Sequence, residues 1–356
     1  MSANIQPRTC WLTINRACNL RCEWCYGFET SFKKEDDMPL SLAKSLVDIC
    51  AGIGIKNFLL IGGEPTIHPD FIKVLDYVSS KDCKVTVVTN GVRLADNKFC
   101  DSILPFAKSL HFGISLKGSS DDYYRDHCGA SVFRKVLKGV SNCVKYKLKY
   151  SLSYVVSADN VNDICLFAKD IRECGIDSPI SFSFCNETIH QNGCFDEVCK
   201  DAHPLLVNQR FASHYKELDE ILDGKFNLHQ TYPLCMCDKD LTDTMLKKDQ
   251  ISTSCHVHNR SGVIFDTNGS ILLCNHFIGY GIGEFGHDYF DSSSFLSYWN
   301  SEPVLRLHKK LSTMPSLECK DCTLRENCGG GCCIQWFNHT FEDYKNTYKT
   351  LNLSNN

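Results

Sequence analysis

Apolar and polar positions along the first half of the chain follow two alternating rhythms. Six short apolar runs, at residues 10–14, 57–61, 84–89, 110–116, 150–156 and 180–184, are rich in Val, Ile, Phe, Leu and Thr. Gly, Asn, Ser or Pro bound them, which predicts strands. Between them, apolar residues recur at helical spacing over 41–50, 70–79, 132–146 and 161–174. Strand and helix alternating in this way predict an α/β fold around a parallel sheet. Periodicity leaves open whether that sheet is doubly wound or curled into a partial barrel.

The rhythm changes after about residue 200. Residues 205–222 read as one amphipathic helix ended near Gly224, and from Cys235 onward the chain is loop-rich. A hairpin is predicted over 261–274, with 262–265 and 270–274 flanking the turn Thr267-Asn268-Gly269. These changes divide the chain into residues 1–230 and 231–356, and the tail 350–356 reads as frayed.

Composition then narrows the chemistry. A formal net charge of −4 gives no basic excess, so nucleic-acid binding has no support. No apolar run is long enough to cross a bilayer, and residues 1–9 (MSANIQPRT) lack a secretory pattern. The outlier is 23 cysteines, an odd number that cannot pair completely. A chain of this size needs no disulfide staples, so the reading is a reduced, cytoplasmic protein whose cysteines bind metal or iron–sulfur clusters.

Polar segments sit at the ends of four predicted strands: Cys18-x3-Cys22-x2-Cys25 after the first, Gly62-Gly63-Glu64-Pro65-Thr66 after the second, Thr89-Asn90-Gly91 after the third, while the fourth ends in Ser115-Leu116-Lys117-Gly118-Ser119. Ligands in parallel α/β folds bind at the carboxyl ends of strands, so these loops describe one site. Three thiolates can hold zinc or an iron–sulfur cluster, although a structural zinc needs a fourth ligand that does not closely follow Cys25. Spacings of four and three also suit one buried helix face, but the neighbours Asn15, Arg16, Asn19, Arg21 and Glu23 are polar. The glycine pair permits close backbone approach of a ligand, and also suits a plain turn.

Together these segments resemble the radical S-adenosylmethionine (SAM) superfamily over roughly residues 8–200. The resemblance implies a partial (β/α)6 barrel. It also implies that Cys18, Cys22 and Cys25 hold a [4Fe–4S] cluster whose open iron takes SAM. By the same resemblance Tyr26 lies beside the adenine, Gly62, Gly63, Glu64 and Pro65 meet the methionine ammonium, and Ser115 meets the carboxylate or ribose. Arg125 is similar to an arginine that pairs with that carboxylate. Lys117 stands where relatives have Asp, so it receives no SAM contact.

A second cysteine field reads Cys255-x13-Gly269-x4-Cys274, then Cys319-x2-Cys322-x5-Cys328-x3-Cys332. Alone, its paired spacings suit zinc. In this context it resembles the small, loop-rich SPASM domain, which carries two auxiliary [4Fe–4S] clusters. The family pattern then gives Cys255, Cys274 and Cys332 to the first, with Cys235 or Cys237 upstream, and Cys319, Cys322 and Cys328 to the second. The chain departs from that pattern: a final cysteine should follow after a gap, yet only Cys333 follows Cys332. Cys333, His339, Asp343 or an open iron are the candidates to complete the second cluster.

Asn275 stands where sulfatase-maturing relatives have an aspartate base, and a neutral amide cannot take that proton. Sulfatase maturation is therefore disfavoured, and His276 is the candidate replacement base. The resemblance implies an oxidoreductase that reductively cleaves SAM to a 5′-deoxyadenosyl radical and abstracts hydrogen from substrate. The expected substrate is a ribosomally made peptide, modified by crosslink, thioether formation or epimerisation, the last with Cys128, Cys185 or Cys194 as hydrogen donor. A small metabolite is the alternative, and a non-catalytic zinc scaffold a remote one. An external donor such as flavodoxin or ferredoxin supplies electrons. With the first strand at residue 10, leader recognition falls to a separate protein or to the SPASM surface, or is not needed. Cys50, Cys83, Cys100, Cys143, Cys165 and Cys174 read as core filler.

Overall fold

The computed structural model describes residues 5–185, 188–189, 195–196, 204–229, 233–252 and 255–353. Six strands appear where the apolar runs predict them: β1 (Thr9–Asn15), β2 (Asn57–Gly62), β3 (Lys84–Thr89), β4 (Leu110–Leu116), β5 (Lys149–Val156) and β6 (Ile180–Phe184). Four more join them: β7 (Phe226–His229), β8 (Ile251–Ser252), β9 (Gly262–Phe265) and β10 (Ile271–Leu272). The sheet order is β8-β7-β6-β5-β4-β3-β2-β1-β9-β10, with every neighbour parallel except the β9–β10 hairpin. The sheet does not close on itself, and the α/β architecture is that of a partial barrel.

Parallel strands need crossovers, and here helices supply them. Helices Leu40–Gly52, Phe71–Ser80, Asn97–Ile103, Phe133–Lys145, Ile164–Glu173 and Pro204–Leu222 lie between successive strands from β1 to β7. Their apolar stripes cover one face of the sheet, where Phe58, Val87, Phe112, Leu152 and Phe182 are buried with Leu46, Val78, Val136, Ile171 and Phe211. The other face differs along β4–β6, where buried residues alternate with His111, Gly113, Ser115, Ser151, Ser153, Ser181 and Ser183. That inner face is therefore mostly small and polar, with Val155 as its apolar member. His111 Nε2 meets Ser151 Oγ at 2.9 Å, and Ser181 Oγ donates to Asn227 Oδ1 at 2.7 Å.

The sequence reading missed helices Asn97–Ile103 and Asp121–Cys128. The second has its signals in the sequence: Ser120 Oγ accepts from Tyr123 N–H at 3.0 Å, and Gly129 ends it at φ +73°. The region after Cys235 also holds more helix than its loop-rich pattern suggests, with Lys239–Lys247, Ser292–Trp299, Glu302–Leu311 and Phe341–Leu353. The last of these runs through much of the stretch expected to fray. Of the filler cysteines, Cys50, Cys83, Cys100, Cys143 and Cys165 are buried, whereas Cys174 is exposed at the end of its helix. No helix of the described residues is long and apolar enough to cross a membrane.

The predicted hairpin is present. Gly269 at φ +84° turns the chain, and Asp266 N–H donates to Ser270 O at 2.8 Å. Its first strand pairs in parallel with β1, Thr9 opposite Gly262 and Leu12 opposite Phe265. Just beyond this ladder Arg16 forms a buried ion pair with Asp266. Removing one partner strands the other's charge away from water, which costs about 3–5 kcal/mol. Arg16→Ala and Asp266→Ala should each lower the unfolding free energy of the reduced, metal-free protein by that order. In urea titrations the double variant should lose clearly less than the two single losses combined; simple additivity would show that the pair is not coupled.

Candidate functional site

The strand ends open onto one cavity of about 630 Å³. Six successive strands, β2–β7, contribute Leu59, Val88, Ser115, Val155, Ser183 and His229 to its wall. Cys18, Cys22 and Cys25 line it as well. They lie on irregular turns rather than a helix face, with Cys25 N–H bonded to Cys22 O at 3.1 Å and Leu20 N–H to Cys18 Sγ at 3.4 Å. The loop docks on the end of helix Asp121–Cys128, through Arg21 N–H to Cys128 O at 2.8 Å and Glu23 N–H to His127 O at 3.2 Å. Three thiols presented by irregular backbone into one cavity can hold a metal centre that takes three protein ligands.

Their proton affinities differ for identifiable reasons. Burial pushes the Cys18 thiol up to about 12 and raises Cys25 too. Cys22 moves the other way, because the Cys128 thiol hydrogen-bonds to it and the Lys117 ammonium lies near. Cys128 is raised correspondingly, since the two thiols compete for one negative charge.

Gly62 and Gly63 line the cavity, but packing against β1 already demands glycine there. A Cβ on Gly62 would meet Asn15 Oδ1, and one on Gly63 would meet the carbonyl oxygens of Arg16 and Ala17. Glu64 is buried and its carboxylate is fully engaged. It accepts from Thr66 N–H at 3.2 Å, Thr66 Oγ1 at 2.6 Å, Thr89 Oγ1 at 2.7 Å and Asn90 N–H at 2.7 Å. The Glu64 carbonyl accepts from Asn15 Nδ2 at 2.9 Å, so this residue clamps the ends of β1, β2 and β3 together. Burial raises its pKa despite these donors.

The structure does not bring every predicted residue to the cavity. Pro65 is buried at the start of the short turn Pro65–Ile67, outside the lining. Arg125 is exposed on its helix and paired with Asp122 at 2.5 Å and Asp126 at 2.9 Å, also outside it. Lys117, set aside in the sequence reading, is the Lys or Arg that does line the cavity, and its Nζ donates to Ser115 Oγ at 2.7 Å. The signal for it was available, since Lys117 directly follows β4, two residues after Ser115. Cys128 was weighed only as a hydrogen donor, not as a neighbour of Cys22. Cys185 reaches the cavity, and Cys194 lies outside the described residues.

Tyr26 and His276 line the cavity with ring centres 5.2 Å apart, and Asn275 lies beside them. Cys255, Cys274 and Cys332 share the same cavity. Burial first, and then Cys332, pushes Cys274 up to about 12. Cys333 is buried and hydrogen-bonded to Cys332. Cys319 and Cys322 stand outside the lining, which Cys328 joins. Cys235 neighbours those three sulfurs rather than Cys255, Cys274 and Cys332, a grouping that differs from the sequence reading. Cys237 instead takes a hydrogen bond from Asn208 Nδ2 at 3.1 Å.

Several known proteins are similar to this chain. The Radical SAM superfamily model matches residues 12–171. The Fe-coproporphyrin III synthase of Methanosarcina barkeri is 30% identical over 165 residues, 46% of this chain and 40% of that protein. The chain spans about half the length of the first curated relatives it matches. The cysteine-type anaerobic sulfatase-maturating enzyme of Clostridium novyi is 22% identical over 339 residues, 88% of this chain and 84% of that one. Among solved structures, Streptococcus suis SuiB bound to the precursor peptide SuiA superposes with a TM-score of 0.70 at 17% identity, covering 94% of this chain and 73% of SuiB.

Two measurements check the site. Glu64→Gln turns an amide N–H toward donors that need an acceptor, so it should cost about 1–3 kcal/mol of unfolding free energy; an unchanged urea midpoint would contradict the clamp. In metal-free protein the thiolate is the reactive form. Iodoacetamide at pH 7 should therefore label Cys22 before Cys18 and Cys25, and Cys128→Ala should slow that labelling. Labelling of Cys18 first would overturn the stated order.

Proposed function

We propose that this chain, which belongs to the Radical SAM superfamily, cleaves SAM at its strand-end cavity and modifies a ribosomally made peptide by hydrogen abstraction. The family implies a [4Fe–4S] cluster and SAM as cofactors. When bound, they supply one-electron cleavage of SAM to methionine and a 5′-deoxyadenosyl radical, while auxiliary clusters offer a sink for the substrate's electron. One observation carries the reading: two groups of three thiols, Cys18/Cys22/Cys25 and Cys255/Cys274/Cys332, line a single cavity.

The chain's own residues have distinct tasks. The first trio holds the SAM-binding cluster. Lys117, with Ser115, binds the SAM carboxylate in the part the sequence reading gave Arg125. Gly62 and Gly63 leave backbone open toward the ammonium, while Glu64 keeps those strand ends in place. Tyr26 flanks the adenine. His276, adjacent to the neutral Asn275 amide, takes a substrate proton. The strands and the surrounding loops keep bulk water from the reacting atoms.

Support for a peptide comes from the Ser115 and Ser183 hydroxyls on the cavity wall, which suit amide groups, and from SuiB, solved with its precursor peptide. The relatives matched over the first half, Fe-coproporphyrin III synthase and GTP 3′,8-cyclase, are named for small-molecule chemistry, so a small metabolite is the competing reading. Residues 231–356 form the auxiliary-cluster domain in this proposal. A flavodoxin or ferredoxin and, for the peptide leader, a separate binding protein complete it, in a reducing cytoplasm.

The test is anaerobic. Reconstituted protein with SAM and dithionite should release 5′-deoxyadenosine, and Cys22→Ala should abolish that release and remove about four irons per chain. Co-expression with short peptides encoded beside it should change the mass of one of them. Release of 5′-deoxyadenosine with no peptide changed would transfer the reading to a small metabolite. Replacing His276 by Gln should reduce product while leaving SAM cleavage in place, and equal loss of both would remove it from proton transfer.

A further inference from the structure

The second cysteine field contains a thiol whose position the sequence pattern does not anticipate. Cys319 lies on the short helical turn Leu317–Asp321, Cys322 just after it, and Cys328 at the end of the turn Arg325–Cys328. Backbone bonds knit these turns together, with Arg325 N–H to Cys322 O at 3.2 Å and Cys328 N–H to Leu324 O at 2.8 Å. The fourth participant comes from far upstream, on the turn Leu234–Met236. Leu234 N–H donates to Cys328 Sγ at 3.3 Å, which fixes the turn carrying Cys235 against that sulfur. Gly330 N–H bonds to the same Cys328 sulfur, and two N–H donors on one thiol are the hydrogen bonding expected of a thiolate ligand.

The other candidates are engaged elsewhere. Cys333 is buried beside Cys332, on the side of Cys274 and Cys255. The Asp343 carboxylate accepts from Thr340 N–H at 2.9 Å and Thr340 Oγ1 at 2.6 Å. His339 packs its ring on Tyr344 at 5.3 Å. The Cys237 sulfur takes the Asn208 amide and itself lies 3.8 Å from Pro233 O. Near the Cys235 group, Lys345 Nζ bonds Glu318 at 2.8 Å and lies close enough to Cys235 to feel its charge. A cation there offsets the negative charge that several thiolates would accumulate.

We propose that Cys235 is the fourth thiolate of a site formed with Cys319, Cys322 and Cys328, holding a [4Fe–4S] cluster. The ligand that the family pattern takes from beyond the cysteine field is here taken from upstream. The site has four thiolates, and Cys255, Cys274 and Cys332 keep three for the cavity. This rests on the reading of the C-terminal cysteines as cluster ligands, and the experiment separates the two claims.

Cys235 is exposed, so it should alkylate quickly unless a metal holds it. The exposed Cys174, on a helix remote in sequence from both cysteine fields, serves as internal reference. Anaerobically purified, metal-loaded protein would be treated with iodoacetamide, then chelated and treated again, with labelling read by peptide mass spectrometry. We expect Cys235 to be protected at least tenfold relative to Cys174 in the loaded protein, together with Cys319, Cys322 and Cys328, and to lose protection on chelation. Metal analysis of Cys235→Ser should match Cys319→Ser, each losing about four irons, while Cys237→Ser keeps the wild-type content. Cys235 labelling as fast as Cys174 while the other three stay protected overturns the proposal, as does absence of protection at all four. Protection of all four with bound zinc in place of iron sustains the four-thiolate grouping but defeats the cluster and, with it, the auxiliary-cluster reading.

Discussion

The buried pair between Arg16 and Asp266 is the constraint on which the site depends. Arg16 leaves the end of β1 two residues before Cys18, and Asp266 begins the turn that leads to Cys274. Two opposite charges shielded from water hold each other strongly, and neither can leave without the other paying a desolvation cost. With β9 in parallel register on β1, the pair fixes one end of each cysteine field to the same corner of the sheet. That arrangement makes a shared cavity possible for thiols some 250 residues apart in sequence.

A second layer of the design is the division between residues that shape the cavity and residues free to act in it. Glu64 has a carboxylate at the strand ends, yet four donors from Thr66, Thr89 and Asn90 occupy it. The glycines before it are required by the carbonyls of Arg16 and Ala17 as well as by any ligand. Lys117 retains an ammonium at the cavity, where its Nζ donates to the Ser115 hydroxyl. Structure and chemistry are thus assigned to different residues of the same loops.

Much of the fold was legible because its strands are covered on one face by helices and keep apolar runs long enough to read. The thiol trio was legible because its polar neighbours ruled against a buried helix. The rest depended on partners distant in sequence. Nothing near Glu64 says that Thr89 and Asn90, on the next strand, will occupy it. The place of Arg125 was not legible, because a sequence motif does not say which side of helix Asp121–Cys128 faces solvent, and the structure sets it outside the cavity lining, paired with Asp122 and Asp126. The choice between Cys235 and Cys237 stayed open for a similar reason, since spacing cannot show where a turn some 80 residues upstream will dock, and the structure sets Cys235 beside Cys319, Cys322 and Cys328.

The pairing of β1 with β9 also has a consequence for how the chain is made. Residues 9–12 find one neighbour in β2 early, but their other edge is met only by residues 262–265. At a synthesis rate of about 5–20 residues per second, that edge stays open for on the order of 10–40 s. It carries Cys10, Trp11 and Leu12, the kind of apolar edge that invites pairing with another chain. The hairpin therefore acts as a late cap, so the first strand of the sheet is among the last to be secured.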